Sequence, residues 1–205
     1  MKKILAFSAV LLFISASSFL KPVSSTLSKE ERKNAISILK ETKKYFLKSV
    51  KGLSDAQLDF KAAPEKWSIR QCMEHITLAE SFLDQLLQGT LNAPANPEKR
   101  AEIKIKDEQI VPMLLDRSHK AQAPEPIQPK GNFKSAEDII QQFNTARDKH
   151  IDYIKTTQDD MRNHCAPHPA FGMLDTYQWM LLLAGHSKRH TLQIEEVKTS
   201  PGFPK

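Results

Sequence analysis

The sequence predicts an all-α protein of four long helices, with a long connection between the second and the third. Three observations carry this prediction. Glycine is scarce, at 6 of 205 residues, and the 40% hydrophobic and 26% charged content suits one globular domain with a single core. No β-branched alternation marks strands. Four segments repeat apolar residues at helical spacing, each opening on a Ser or Asp with Glu, Gln or Asp three residues later.

The first helix is expected from about Ser28 to Val50, opened by a Ser28/Glu31 capping box. Its inward stripe is Ala35, Ile38, Leu39, Thr42, Phe46 and Val50, and Gly52 is the stop. A short segment capped by Ser54 and Gln57 follows and is broken by Pro64. The second long helix starts at Ser68, with Gln71 completing the cap and Trp67 placed to staple against Cys72. Cys72, His75, Ile76, Ala79, Phe82, Leu83 and Leu86 form its inward stripe, with Gly89 as the expected end.

Residues 90–134 read as irregular, and "APEPIQPKG" is too rich in proline for a regular helix or inner strand. So long a connection needs a reason; a crossover between parallel helices and a lid over a site are two compatible ones. The third helix begins at Ser135, with Ile139, Phe143, Ala146, His150 and Ile154 on its stripe. Residues 158–174 read as a turn-rich loop. The fourth helix opens at Asp175 and sets Trp179, Leu182, Leu183, His186, His190 and Ile194 on one face.

The N-terminus "MKKILAFSAVLLFISASSFL" has two lysines, an apolar run and then small residues, the layout of a secretory signal. Residues 1–25 are therefore expected to be a signal peptide cleaved before Thr26, with Ser15-Ala16-Ser17 as a second option for the cleavage zone, and residues 26–205 the single domain, periplasmic or secreted. An uncleaved membrane anchor is the alternative, since the apolar run is near the lower limit for spanning a bilayer. The formal charge falls from +6 to +3 once Lys2, Lys3 and Lys21 are removed. No Arg/Lys cluster is interleaved with aromatics, so nucleic acid is not an expected partner. Cys72 and Cys165 are expected to be independent thiols, with a single bridge in an oxidising compartment as the alternative.

The chemistry is concentrated in histidines. His186 and His190 stand at i and i+4 on an apolar stripe, so both rings point the same way. Burying two unpaired imidazoles is costly unless something binds them. His75, on the inward stripe of the second long helix, can face them across a bundle. Three neutral imidazoles would then hold one divalent ion with a position left open. Separate core or surface histidines are the competing reading. His150 is expected to be a hydrogen-bonded core or rim residue. His164, Cys165 and His168 cluster in a loop whose polarity explains them as well as a metal would, and His119 has no partner in sequence. No phosphate loop, Gly-x-Ser-x-Gly elbow, HExxH or Cys-x-x-Cys occurs.

Two stretches carry a family resemblance. "LSDAQLDFKAAPEKWSIRQCMEHITLAE" and "HSKRHTLQIEE" resemble the two signatures of the DinB-like, damage-inducible superfamily: a turn and Lys-Trp-Ser leading into a helix with one His, then His-x-x-x-His followed by Gln-Ile. The resemblance spans about residues 28–198. It implies a four-helix bundle with a long crossover between its second and third long helices, in which His75, His186 and His190 ligate one divalent metal, commonly zinc or nickel, with water completing the shell. Relatives of this kind include thiol S-transferases using bacillithiol, mycothiol or glutathione, and a maleylpyruvate isomerase. A low-molecular-weight thiol is thus an expected cofactor and a small molecule the expected substrate. Such thiols are chiefly cytosolic, so export points to water activation as the alternative chemistry. A non-catalytic metal- or ligand-binding bundle is the alternative function. Bundles often pair, so a homodimer is admitted, although no exposed heptad face specifies it.

Overall fold

The structure, a computed structural model, describes residues 26–116 and 122–205. The expected signal over residues 1–25 and His119 lie outside the described residues. The elements are α1 (Lys29–Val50), α2 (Asp55–Asp59), α3 (Ile69–Asn92), α4 (Asp107–Leu115), α5 (Ala136–Thr156), β1 (Cys165–His168), β2 (Gly172–Asp175) and α6 (Thr176–Lys198). The fold is the expected all-α bundle, built from α1, α3, α5 and α6.

The helices start where local chemistry places them. Ser28, Ser54, Ser68 and Asp175 each accept the N–H three residues on, and Glu31, Gln57, Gln71 and Gln178 return a side chain to the cap's own N–H. Ser135 caps α5 by accepting from Asp138 N–H, while the Asp138 carboxylate turns to the N–H of Lys134. Helix α3 does not end at Gly89. That residue is exposed and helical, and the stop comes at Ala93, pushed to φ −77°, ψ 163° ahead of Pro94.

Helices α1 and α3 each pack against both α5 and α6. The hydrogen bonds Asn34–Tyr177, Glu41–Lys188 and Ser49–Lys198 climb in step, so α1 and α6 run parallel. Thr77–Ile139, Glu80–Arg147 and Asp84–Lys149 likewise make α3 and α5 parallel. Parallel neighbours cannot be joined by a tight turn, which explains the long crossover.

The crossover is less irregular than the sequence suggests. It holds 3₁₀ turns at Pro97–Glu102 and Glu125–Ile127, with α4 between them. Helix α4 carries Pro112 in its interior, on an exposed side, and sets Ile110 and Leu114 into the core. It packs on α6. A Cβ at Gly185 would come within 2.8 Å of Leu114 Cδ1, so glycine is what admits α4 this closely. With α4 in place α6 is buried all round from Thr176 to Gly185, rather than on one face. The expected loop at 158–174 contains the antiparallel β1–β2 hairpin, closed by the pair His168↔Gly172. Cys72 and Cys165 are both buried and unbridged.

The expected single core is two apolar clusters. Leu39, Leu83, Ile154 and Leu183 belong to one, and Phe46, Ile76, Phe143 and Ile194 to the other. At the intervening positions of the four long helices stand Thr42, Glu80, Arg147 and Ser187. Arg147 is fully buried and donates to the Glu80 carboxylate, the Leu39 carbonyl, Thr42 Oγ1 and Ser187 Oγ. A polar layer therefore fastens all four helices to one another.

Candidate metal centre

The three histidines singled out by sequence converge. His75 lies in the second turn of α3, placed by the Ser68 cap, and His186 and His190 lie one turn apart in the middle of α6. His75 Nε2 is 3.2 Å from His186 Nε2 and 3.2 Å from His190 Nε2. Among the described residues this trio is the one group of His, Cys, Asp or Glu with donor atoms close enough for a shared ion, all within 4.8 Å of one another.

Tautomers decide what the convergence means. His75 Nδ1–H donates to the Ile127 carbonyl at 2.7 Å, and His190 Nδ1–H donates to Gln193 Oε1 at 3.0 Å. Each bond leaves the Nε2 lone pair of a neutral ring directed at the cluster. Burial pushes the His75 pKa down. That of His186 is driven well below its ordinary value by burial, by the His190 and His75 rings, and by the Arg189 and Arg147 cations. With both rings neutral, the His75 and His190 lone pairs 3.2 Å apart repel unless a cation lies between them, and His186 Nε2, 3.2 Å from His75 Nε2, is placed to join the same ion. At zinc–nitrogen distances of about 2.0–2.1 Å, tetrahedral geometry sets ligand nitrogens roughly 3.3 Å apart, so the donor set fits such an ion.

The surroundings fix the rings. The Trp67 indole lies 4.8 Å from the His75 ring and 6.0 Å from the His190 ring, centroid to centroid. Its ring faces the histidines in addition to any staple role at the helix start. Arg189, between the two α6 histidines, donates to the carbonyls of Leu114 and Asp116 and so ties the end of α4 beside the cluster. The crossover returns at Ile127, whose carbonyl holds His75.

The other histidines lie elsewhere. His150 is buried, donates from Nδ1–H to Glu80 at 3.1 Å and belongs with the polar layer, as a hydrogen-bonded core residue should. His164 Nδ1–H donates to the Asp160 carbonyl. His168 Nδ1 accepts from the N–H groups of Ala170 and Phe171, and its ring stacks on Phe171 at 4.7 Å. The "HCAPH" stretch thus spends its imidazoles on the hairpin. Sequence reasoning did not single out Glu74, Glu80 or Arg147. Glu80 and Arg147 interrupt apolar helical stripes, which is the one trace of them that the sequence carries.

Comparison with known proteins agrees with this architecture. The family model described as the DinB superfamily matches residues 38–194. The uncharacterized protein YuaE of Bacillus subtilis is 28% identical over 163 residues, covering 80% of this chain and 96% of that one. Among solved structures, YfiT from Bacillus subtilis is described as a probable metal-dependent hydrolase with an unusual four-helix bundle topology. It superposes with a TM-score of 0.58 at 16% identity, covering 87% of this chain and 92% of its own.

Proposed function

The chain belongs to the DinB superfamily, and we propose from that premise that it is a divalent-metal-dependent enzyme acting on a small molecule. The observation that carries the proposal is the convergence of the Nε2 atoms of His75, His186 and His190, with two of the rings held in the ligating tautomer by Ile127 and Gln193. Imidazole donors suit zinc or nickel. A bound ion supplies a Lewis acid that makes water or a thiol nucleophilic at neutral pH. The protein's part is to bind through three rings, keep those of His75 and His186 neutral by burial, and leave coordination open to a fourth group. The Trp67 indole covers one side of the rings.

Hydrolysis is the preferred reaction over transfer of a low-molecular-weight thiol. The hydrolase description of YfiT supports it, as does the export signal read at residues 1–25, since such thiols are chiefly cytosolic. Export, a small-molecule substrate and pairing into a homodimer are parts of the proposal that cell fractionation, substrate screening and light scattering test.

The deciding experiment is metal analysis of the purified chain beside the single alanine variants of His75, His186 and His190, followed by screens for ester or amide hydrolysis and thiol transfer. One ion per chain, lost in all three variants, together with turnover, is the expected result. Metal without turnover would favour the non-catalytic binding bundle. No metal after reconstitution with zinc and nickel would overturn both.

A further inference from the structure

Glu74 is adjacent to His75, yet its carboxylate does not join the histidine cluster. It is buried and accepts three backbone N–H groups in a row: Lys130 at 3.0 Å, Gly131 at 3.1 Å and Asn132 at 2.9 Å. Gly131 has φ +78°, the left-handed conformation that lets successive N–H groups of a turn converge on one anion. The same segment, three residues earlier, supplies the Ile127 carbonyl that accepts His75 Nδ1–H. Ile127 itself is buried, and Gln128 N–H closes its 3₁₀ turn. Two consecutive residues of α3 thus grip one strap of the crossover, Glu74 by its turn and His75 by its carbonyl.

We propose that Glu74 is a positioning residue for the three-histidine site: it clamps the turn at 130–132 and so holds the Ile127 carbonyl where it fixes His75 with Nε2 facing His186 and His190. This rests on the reading of the trio as a metal centre. The physical reason is register. The 127–132 strap has no long helix or strand of its own to hold it, so the Ile127 carbonyl stays within hydrogen-bond reach of His75 only if the strap is pinned close by. A carboxylate with two acceptor oxygens satisfies three donors. A glutamine has one acceptor and turns an NH₂ toward the remaining N–H groups.

The test uses the full chain and zinc as the probe. Glu74→Gln is expected to weaken zinc binding about tenfold, the scale on which partners behind a ligand act. It is also expected to let metal-free His75 populate the Nε2–H tautomer, read by ¹⁵N chemical shifts of its ring. Glu74→Asp, which keeps the charge and both acceptors, should lie nearer the wild type. Gly131→Ala provides a second approach: its Cβ would meet nothing within 4 Å, so it perturbs the turn through backbone conformation alone. It should shift zinc affinity and tautomer in the same direction, and it decides the matter if Glu74→Gln does not fold. Wild-type zinc affinity with an unshifted His75 tautomer in a folded Glu74→Gln variant overturns the proposal. Failure of the wild type to bind zinc removes the metal reading instead, and the tautomer then decides whether Glu74 sets the ring.

Discussion

Arg147 on α5 grips Glu80 on α3 with two arms of its guanidinium, Nε to Oε2 at 3.0 Å and Nη2 to Oε1, and both side chains are shut off from solvent. A buried pair of this kind gains little over a well-packed apolar pair, but removing one partner strands a charge. Arg147→Ala is expected to cost about 3–5 kcal/mol, a large share of the roughly 5–15 kcal/mol that holds a domain together. The double change Arg147→Met with Glu80→Leu should recover part of that loss. Recovery is incomplete because His150 and Ser187 lose their acceptor in Glu80. Urea unfolding of both variants beside the wild type checks this; an Arg147→Ala variant within about 1 kcal/mol of wild type would mean that the layer does not fasten the bundle.

The same layer predicts a pH dependence. His150 lies between two carboxylates, with Nδ1 on Glu80 and Nε2 3.4 Å from Asp84 Oδ1. Burial disfavours the charged ring, yet Asp84 and Glu80 outweigh it and raise its pKa above the ordinary 6.5. Asp84 is held down to about 2, chiefly by His150, from an ordinary 3.8. A depressed carboxyl stabilises the fold above its ordinary pKa, and that contribution is lost as pH falls from 3.8 through about 2. A raised imidazole stabilises below 6.5, and its contribution is lost as pH rises through the elevated folded value. The pair is therefore worth most between the two ordinary values. Asp84→Asn should lower the melting temperature by a few degrees at about pH 5. It should also flatten the decline on acidification toward pH 2. Melts across pH in which the variant parallels the wild type would exclude the pairing as a source of stability.

What was legible in the sequence was local or periodic. The Ser28, Ser54, Ser68 and Asp175 caps need only a residue and its neighbour three positions on. His186 and His190 need only the helical repeat, and His75 joined them through stripe position and family resemblance. Helix α4 was missed because the proline-rich connection as a whole reads as irregular; contact with α6 at Gly185 seats a helix there with Pro112 inside it. Glu80 and Arg147 were missed because a charge on an apolar stripe can reach solvent along its own stem. Only the packed bundle shows that these two, 67 residues apart, meet instead. Glu74 left still less trace, since its partners are backbone N–H groups that no residue type announces.

Gly185 predicts a steric limit beside the site. The methyl of Gly185→Ala would meet Leu114 Cδ1 at 2.8 Å, the far end of a side chain that can yield, and Val111 Cα at an ordinary 3.5 Å. Alanine also gains up to about 1 kcal/mol of helix propensity over glycine, so the net change should be small. Gly185→Val adds a second branch with no comparable relief and should cost about 1–3 kcal/mol by overpacking. Denaturant midpoints separate the cases, and valine tolerated as well as alanine would show that α4 is not seated through Gly185.

Zinc should stabilise the folded chain in a way that locates the ion. A ligand that binds only the native state at about a hundred times its dissociation constant adds roughly 2.7 kcal/mol. The wild type and His164→Ala should both show that gain in thermal melts. His186→Ala should not, since it removes one of the three converging Nε2 atoms. His164 is the informative control because its Nδ1–H is engaged by the Asp160 carbonyl while its Nε2 could still reach a metal, and His168, its neighbour on the hairpin, already spends Nδ1 on two backbone N–H groups. Loss of the zinc effect in His164→Ala with its retention in His186→Ala would move the site from the bundle to the hairpin, and the convergence of the trio's Nε2 atoms would then need another occupant.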